Sequence, residues 1–249
     1  MRADSALGVL LCPSPNHGAR DARLAIDMLL LHYTGMPDAD GALKWLCMRE
    51  SEVSAHYFVY EDGHIVQLVP EARRAWHAGA AFWAGERDIN GCSIGIEIAN
   101  EGPESADPEF PEAQMLAVIS LCRDIMRRHG IPARRVLGHS DVAPGRKVDP
   151  GPFFDWQRLA ASGIGLWPQA APVTGGALRI GDSGDEVSRY QRALADFGYQ
   201  VAVSGEFCEH TQAVTKALQL HFRSWRVDGV ADTATRGLAA ALAQESAEG

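Results

Sequence analysis

Residues 26–33 read IDMLLLHY, a nearly continuous apolar run that ends in a histidine and a tyrosine. A run with so little polar alternation suits a strand buried on both faces, at the centre of a sheet. Segments of opposite character alternate on either side of it. ALKWLCM (42–48) reads as helix, and SAHYFVYEDGHIVQLVP (54–70) as two strand-like runs around Asp62-Gly63, a strong hairpin signal. CSIGIEIAN (92–100) is a further strand, with Ile94, Ile96 and Ile98 on one face and Ser93, Gly95 and Glu97 on the other. In residues 111–129, Met115, Val118, Ile119, Cys122, Ile125 and Met126 follow helical spacing, and Gly130 suits the C-terminal cap. RRVLGHS (134–140) returns toward the sheet. The pattern predicts an α/β domain with a mixed central β-sheet flanked by helices.

GIGLWPQAAPVTGG (163–176) carries four glycines and two prolines in fourteen residues, a composition that breaks helix and strand alike. It is read as a linker between a domain at 1–162 and a second at 177–249. Trp167 is expected to dock that linker, because a free linker rarely carries an indole. Further on, VSRYQRAL puts Val187, Tyr190, Gln191 and Leu194 on one side of a helix. GEFCEHT and GVADTAT end in Thr211 and Thr235, each six residues after a glycine, where a helix is about to start. A small C-terminal three-helix domain is predicted.

Of the 249 residues, 46% are hydrophobic and 22% charged, the mix of a soluble globular protein with a substantial core. The net charge of −9 argues against nucleic acid or an anionic membrane surface as the main partner. No stretch approaches the ~20 apolar residues of a membrane span. The apolar run Leu7 to Leu11 is shorter than a secretory core of roughly 7 to 15 residues, and the residues before Cys12 do not suit a lipoprotein processing site. Five cysteines (Cys12, Cys47, Cys92, Cys122, Cys208) form an odd set with no CxxC pair and read as reduced packing residues. A cytoplasmic location is expected, with the periplasm as the alternative.

GRKVDPGP (145–152) is the other informative stretch. Pro150 pushes Asp149 toward an extended backbone, and Gly151 with Pro152 disfavours a continuing helix or strand. Alternate side chains of an extended segment share a face, so Lys147 and Asp149 point into one space. Taken alone, these residues read as a charged surface turn. A histidine inside an apolar strand, such as His32, is more often a satisfied core residue than a ligand. His32, His139 and Asp149 also lie far apart in sequence, so spacing alone says little about a metal.

LLLHYTGM, VSAHYFVYEDGHIVQLVPE, AWHAG, SIGIEIAN and GHSDVAPGRKVDPGPFFDW together resemble the zinc-dependent N-acetylmuramoyl-L-alanine amidases of the type 2 family. That family is related in fold to certain bacteriophage lysozymes and to peptidoglycan recognition proteins. The resemblance implies that His32, His139 and Asp149 bind Zn2+, that Glu97 is the general base, and that Lys147 stabilises the oxyanion. Two histidines and one carboxylate with an open fourth position suit a catalytic zinc, not a structural one. Trp76 and His77 of AWHAG line the cleft in the family. Tyr33 and Arg87 are further candidates for substrate contact, and His56 is expected in the core or behind the site. Where cytoplasmic members often carry arginine, this chain has Glu52 and Asp88 or Ile89, with Arg87, Arg73 or Arg74 as substitutes. The region from about residue 178 to 243 resembles the peptidoglycan-binding type 1 module, with a packing unit as the alternative.

The implied activity is hydrolysis of the amide between N-acetylmuramic acid and L-alanine in peptidoglycan fragments, with anhydro-muropeptides the expected substrates. Two rivals are an amidase acting on intact peptidoglycan in the periplasm and a peptidoglycan-binding protein without activity. Asp149 favours an enzyme, since recognition proteins without activity lack a competent third ligand.

Overall fold

The computed structural model describes residues 2–106 and 108–247. Its strands are β1 (Leu10–Leu11), β2 (His17–Ala19), β3 (Met28–Tyr33), β4 (Tyr57–Val59), β5 (Ile65–Gln67), β6 (Arg73–Ala75), β7 (Ser93–Ile98) and β8 (Val136–Gly138). Six of them form one sheet in the order β1-β5-β4-β7-β3-β8, and β2 pairs with β6 as a separate antiparallel ribbon. Only β4 and β5 pair antiparallel in the large sheet, around the Asp62-Gly63 turn, so the sheet is mixed as expected.

β3 has parallel partners on both sides, β7 and β8. Its residues Met28 to Leu31 are 0% exposed, because each face of the strand is covered by a different layer. Leu29 and Leu31 join Ile94, Ile96 and Ile98 of β7 in a cluster with Met115, Val118, Ile119, Cys122 and Ile125. Helices α1 (Ala39–Cys47) and α2 (Ile89–Cys92) precede the long helix α3 (Glu112–His129), to which those five belong. Gly130, in the left-handed region at φ 68°, ends α3 as the sequence suggests.

On the opposite face, Met28 and Leu30 join Leu137, Val142 and Trp83 in one apolar cluster with residues from the C-terminal helices. After the short α4 (His139–Val142) and α5 (Trp156–Ala161) come α6 (Asp185–Phe197), α7 (Glu209–Phe222) and α8 (Thr233–Ala247). Val187, Tyr190, Leu194, Phe197, Tyr199, Leu218 and Phe222 all belong to this second cluster. Residues 163–176 hold no helix or strand, and Trp167 packs against both clusters. Each large apolar side chain buried here contributes about 1.5–3 kcal/mol relative to exposure.

The glycine-to-threonine echo has a structural meaning. Gln191 accepts from Gly205 N–H and donates to Glu206 O and Thr211 Oγ1. Gln219 repeats the pattern with Gly229 N–H, Val230 O and Thr235 Oγ1. Both threonines lie within the first turn of their helix and not at its cap, each meeting a buried glutamine of the preceding helix.

Trp83 ties the two parts together. Its ring meets Phe197 and Tyr199 edge-on, at 5.2 and 4.9 Å between centroids. Gly198 adopts φ 140°, and a Cβ there would fall 2.6 Å from the indole, so only glycine permits this approach. A core shared in this way makes unfolding of both parts one event. Calorimetry is expected to show a single two-state transition, with its midpoint lowered in Gly198→Ala. Two resolved transitions, one of them untouched by the substitution, would contradict the shared core.

Candidate active site

Three parallel strands bring the site together at their carboxyl ends, where open α/β sheets place their ligands. His32 on β3 lies in register with Glu97 on β7. His139 directly follows Gly138, the last residue of β8. Asp149 arrives on the loop after α4, where Ser140 N–H donates to Asp149 O at 3.0 Å. The Asp149–Pro150 peptide is cis, and Gly151 lies against the ring of Tyr33.

Nδ1 of His32, Nδ1 of His139 and Oδ2 of Asp149 form a triangle with all three edges 3.0 Å long. The hydrogen-bond network decides whether hydrogens fill those edges. Ser93 Oγ donates to Ile89 O at 2.5 Å, so it is an acceptor toward His77 Nε2–H at 3.4 Å. His77 Nδ1 is then free to accept from His32 Nε2–H at 3.1 Å. That leaves His32 Nδ1 with a bare lone pair. His139 Nε2 faces Ala78 O at 2.9 Å and must carry its proton, which bares the Nδ1 of His139 as well. Burial, together with neighbouring His139, brings His32 down to about 4, so its imidazole is neutral. Two lone pairs and a carboxylate oxygen meeting at this distance repel one another unless a cation lies among them. Ligand atoms around a tetrahedral zinc sit roughly 3.3 Å apart, close to the observed edges. The residues therefore fit the metal, and the outer contacts that fix each imidazole are those metal sites use.

A cavity of about 560 Å³ opens over the triad, lined among others by Tyr33, Trp45, Trp76, His77, Glu97 and Lys147. Glu97 is partly accessible from it, while its Oε2 is enclosed without a hydrogen-bond partner among the described residues. Burial pushes the Glu97 carboxyl well above its usual range, the charge of Asp149 adds to the push, and Lys147 opposes it.

The triad, Glu97, Lys147, Tyr33, Trp76 and His77 thus all border one space. Arg87 does not: it lines a separate hollow with Phe82 and Gly198, its guanidinium 5.3 Å from the Phe82 ring centroid. Arg74 is paired with Asp88, and Arg73 contacts His17. The basic residue that sequence reasoning missed is Arg146, which lines the cavity and donates to Ala78 O and Ala80 O at 2.6 and 2.7 Å. It was adjacent to Lys147 in the sequence, but nothing there distinguished a cleft cation from a solvated one. The holding role of His77 was also missed. Its signal was Gly95 in the strand SIGIE, since a Cβ at that position would sit 2.5 Å from the His77 ring. His56 lies behind this layer, accepting from Gly95 N–H at 2.9 Å, and burial followed by Arg20 brings it down to about 3.

Residues 22–152 match the family model described as N-acetylmuramoyl-L-alanine amidase, and residues 183–238 that of a putative peptidoglycan binding domain. The N-acetylmuramoyl-L-alanine amidase AmiD of Escherichia coli is 39% identical over 240 residues, covering 91% of this chain and 86% of its own. The 1,6-anhydro-N-acetylmuramyl-L-alanine amidase AmpD of Escherichia coli is 32% identical over 61% of this chain and 91% of its own. A structure of Escherichia coli AmiD with the substrate anhydro-N-acetylmuramic acid-L-Ala-D-γ-Glu-L-Lys superposes with a TM-score of 0.76 at 37% identity, covering 91% of this chain and 93% of that one. AmpDh3 of Pseudomonas aeruginosa, in complex with an anhydromuramic pentapeptide, gives 0.73 at 28% identity, over 98% of this chain and 99% of its own. With the match extending over both parts of the chain, the protein belongs to the N-acetylmuramoyl-L-alanine amidase family.

Proposed function

We propose that this chain is a zinc-dependent amidase that hydrolyses the bond between the lactyl carboxyl of N-acetylmuramic acid and L-alanine in soluble anhydro-muropeptides. The observation that carries the reading is the bare face of the triad, two tautomer-locked imidazoles and a carboxylate, opening into the cavity that also holds Glu97 and Lys147. The substrate named for the Escherichia coli relative and the anhydromuramic pentapeptide in complex with the Pseudomonas aeruginosa one support the anhydro sugar. Action on polymeric peptidoglycan is the second reading, favoured by the match of residues 183–238 to a putative peptidoglycan binding domain.

When bound by His32, His139 and Asp149, zinc supplies Lewis acidity toward a water and a carbonyl. The Glu97 carboxylate, which borders the cavity, takes a proton from the attacking water and returns it to the departing L-alanine nitrogen. A carboxyl held above its ordinary range suits both halves of that transfer. Lys147 presents its ammonium to the charge developing on the amide oxygen. The products are a free muramic carboxylate and a peptide with a new amino terminus. Tyr33 and Trp76 line the cavity wall where the substrate would lie.

The compartment belongs to the same proposal. Among the described residues no helix is long and apolar enough to cross a membrane. All five cysteines are free, and Cys12 and Cys47 bring their Sγ atoms to 3.5 Å without a bond. Two thiols this close would oxidise readily outside a reducing compartment, so their state in cells reports the location. That location is proposed to be the cytoplasm, with the periplasm as the alternative. Protein taken from native cells under thiol-blocking conditions is expected to have all five cysteines alkylated. A Cys12–Cys47 disulfide in that sample would place the chain in an oxidising compartment.

Product release from a soluble anhydro-muropeptide, followed by mass spectrometry, tests the activity. Glu97→Gln is expected to keep the fold and lose most turnover, and Lys147→Ala to lose on the order of 10²–10³ in kcat. Wild-type rates in Glu97→Gln would remove Glu97 from the chemistry. A change confined to KM in Lys147→Ala would reduce Lys147 to substrate binding.

A further inference from the structure

His139 begins α4, a helix of only four residues that cannot hold its own geometry. The third residue of that helix, Asp141, is 0% exposed. A carboxylate shut away from water is costly unless its oxygens are met by donors. Asp141 Oδ2 accepts from Gly138 N–H at 2.8 Å, which closes the turn leading into His139. The other two donors come from the C-terminal helical region. Tyr199 O–H reaches Asp141 Oδ1 at 2.7 Å, and His221 Nδ1–H reaches Asp141 Oδ2 at 2.7 Å.

Both donors are themselves fixed. The His221 ring is stacked between Trp156 at 3.7 Å and Phe222 at 3.9 Å. Its Nε2 is enclosed and unpartnered among the described residues, which leaves Asp141 as the polar group this imidazole binds. Tyr199 stands edge-on to Trp83. The end of α4 is held as well, by Phe82 N–H donating to Val142 O at 2.9 Å.

We propose that Tyr199 and His221 are positioning residues for the metal site. They hold Asp141, Asp141 holds the turn from Gly138 into His139, and metal affinity therefore depends on side chains of the C-terminal helical region, Tyr199 just after α6 and His221 on α7. The inference rests on His32, His139 and Asp149 being the metal ligands. It gives the C-terminal region a task inside the active site, distinct from any grip on the wall.

Zinc affinity, read by competition with a chromophoric chelator, and thermal midpoint test it together in the full chain. Tyr199→Phe and His221→Phe keep the aromatic packing and delete one donor each, and both are expected to weaken zinc binding on the order of 10-fold or more. His221→Asn, which restores an N–H toward Asp141, is expected to recover part of that loss. Tyr190→Phe serves as the control, since it removes a buried hydroxyl contact to Thr215 in the same helices without touching Asp141. It is expected to lower the midpoint and leave zinc affinity unchanged. Unchanged affinity in Tyr199→Phe and His221→Phe beside a zinc-binding wild type overturns the latch alone, as does a loss that Tyr190→Phe reproduces. A wild type that takes up no zinc overturns the ligand assignment and the latch with it. Tyr199→Phe, a single hydroxyl deletion, supplies the reading where the His221 variants do not fold.

Discussion

Burial of β3 on both faces is the constraint on which the rest of the molecule depends. A strand whose residues Met28 to Leu31 are 0% exposed needs an apolar layer on each side. The long helix α3 supplies one layer, and the cluster shared with the C-terminal helices supplies the other. The same enclosure shuts the Nε2 side of His32, the next residue, against His77. Its tautomer is then set by protein partners alone, through His77 and Ser93 to the carbonyl of Ile89. Packing and the geometry of the site meet in one strand.

The electrostatics of the cleft follow from that geometry. The chain carries a net charge of −9, yet the cavity that holds the triad is also lined by Lys147 and Arg146. Lys147 borders the space into which Asp149 and Glu97 also face, and Arg146 is anchored to backbone carbonyls on the His77 side. An anionic peptide approaching an acidic protein thus meets positive charge at the one place where its amide must be held. The buried imidazole of His32 stays neutral there because burial and neighbouring His139 outweigh the carboxylate of Asp149.

Much of this was legible in the sequence. IDMLLLHY announced a doubly covered strand, Asp62-Gly63 a hairpin, and the alternation in SIGIEI separated Glu97 from the isoleucines that pack under the sheet. The resemblance in LLLHYTGM and GHSDVAPGRKVDPGPFFDW pointed to His32, His139 and Asp149, the three residues that the fold gathers. What stayed hidden needed three dimensions. A run of apolar residues says that both faces are covered but not by what, so the role of Phe197, Tyr199 and Phe222 as part of the cover was invisible. Arg87 lies near the family pattern in sequence, yet a few residues of loop carry it to a different hollow. The tautomer relay depends on which atom faces which carbonyl, and no residue type encodes that by itself.

The central claim is that the bare faces of His32, His139 and Asp149 exist to hold a metal ion. Elemental analysis of purified full-length chain, wild type against His139→Ala, tests it most directly. The account predicts about one zinc per wild-type chain, lost from the variant together with turnover while the sheet still forms. Equal zinc in both proteins, or full amidase turnover after exhaustive chelation, would contradict it.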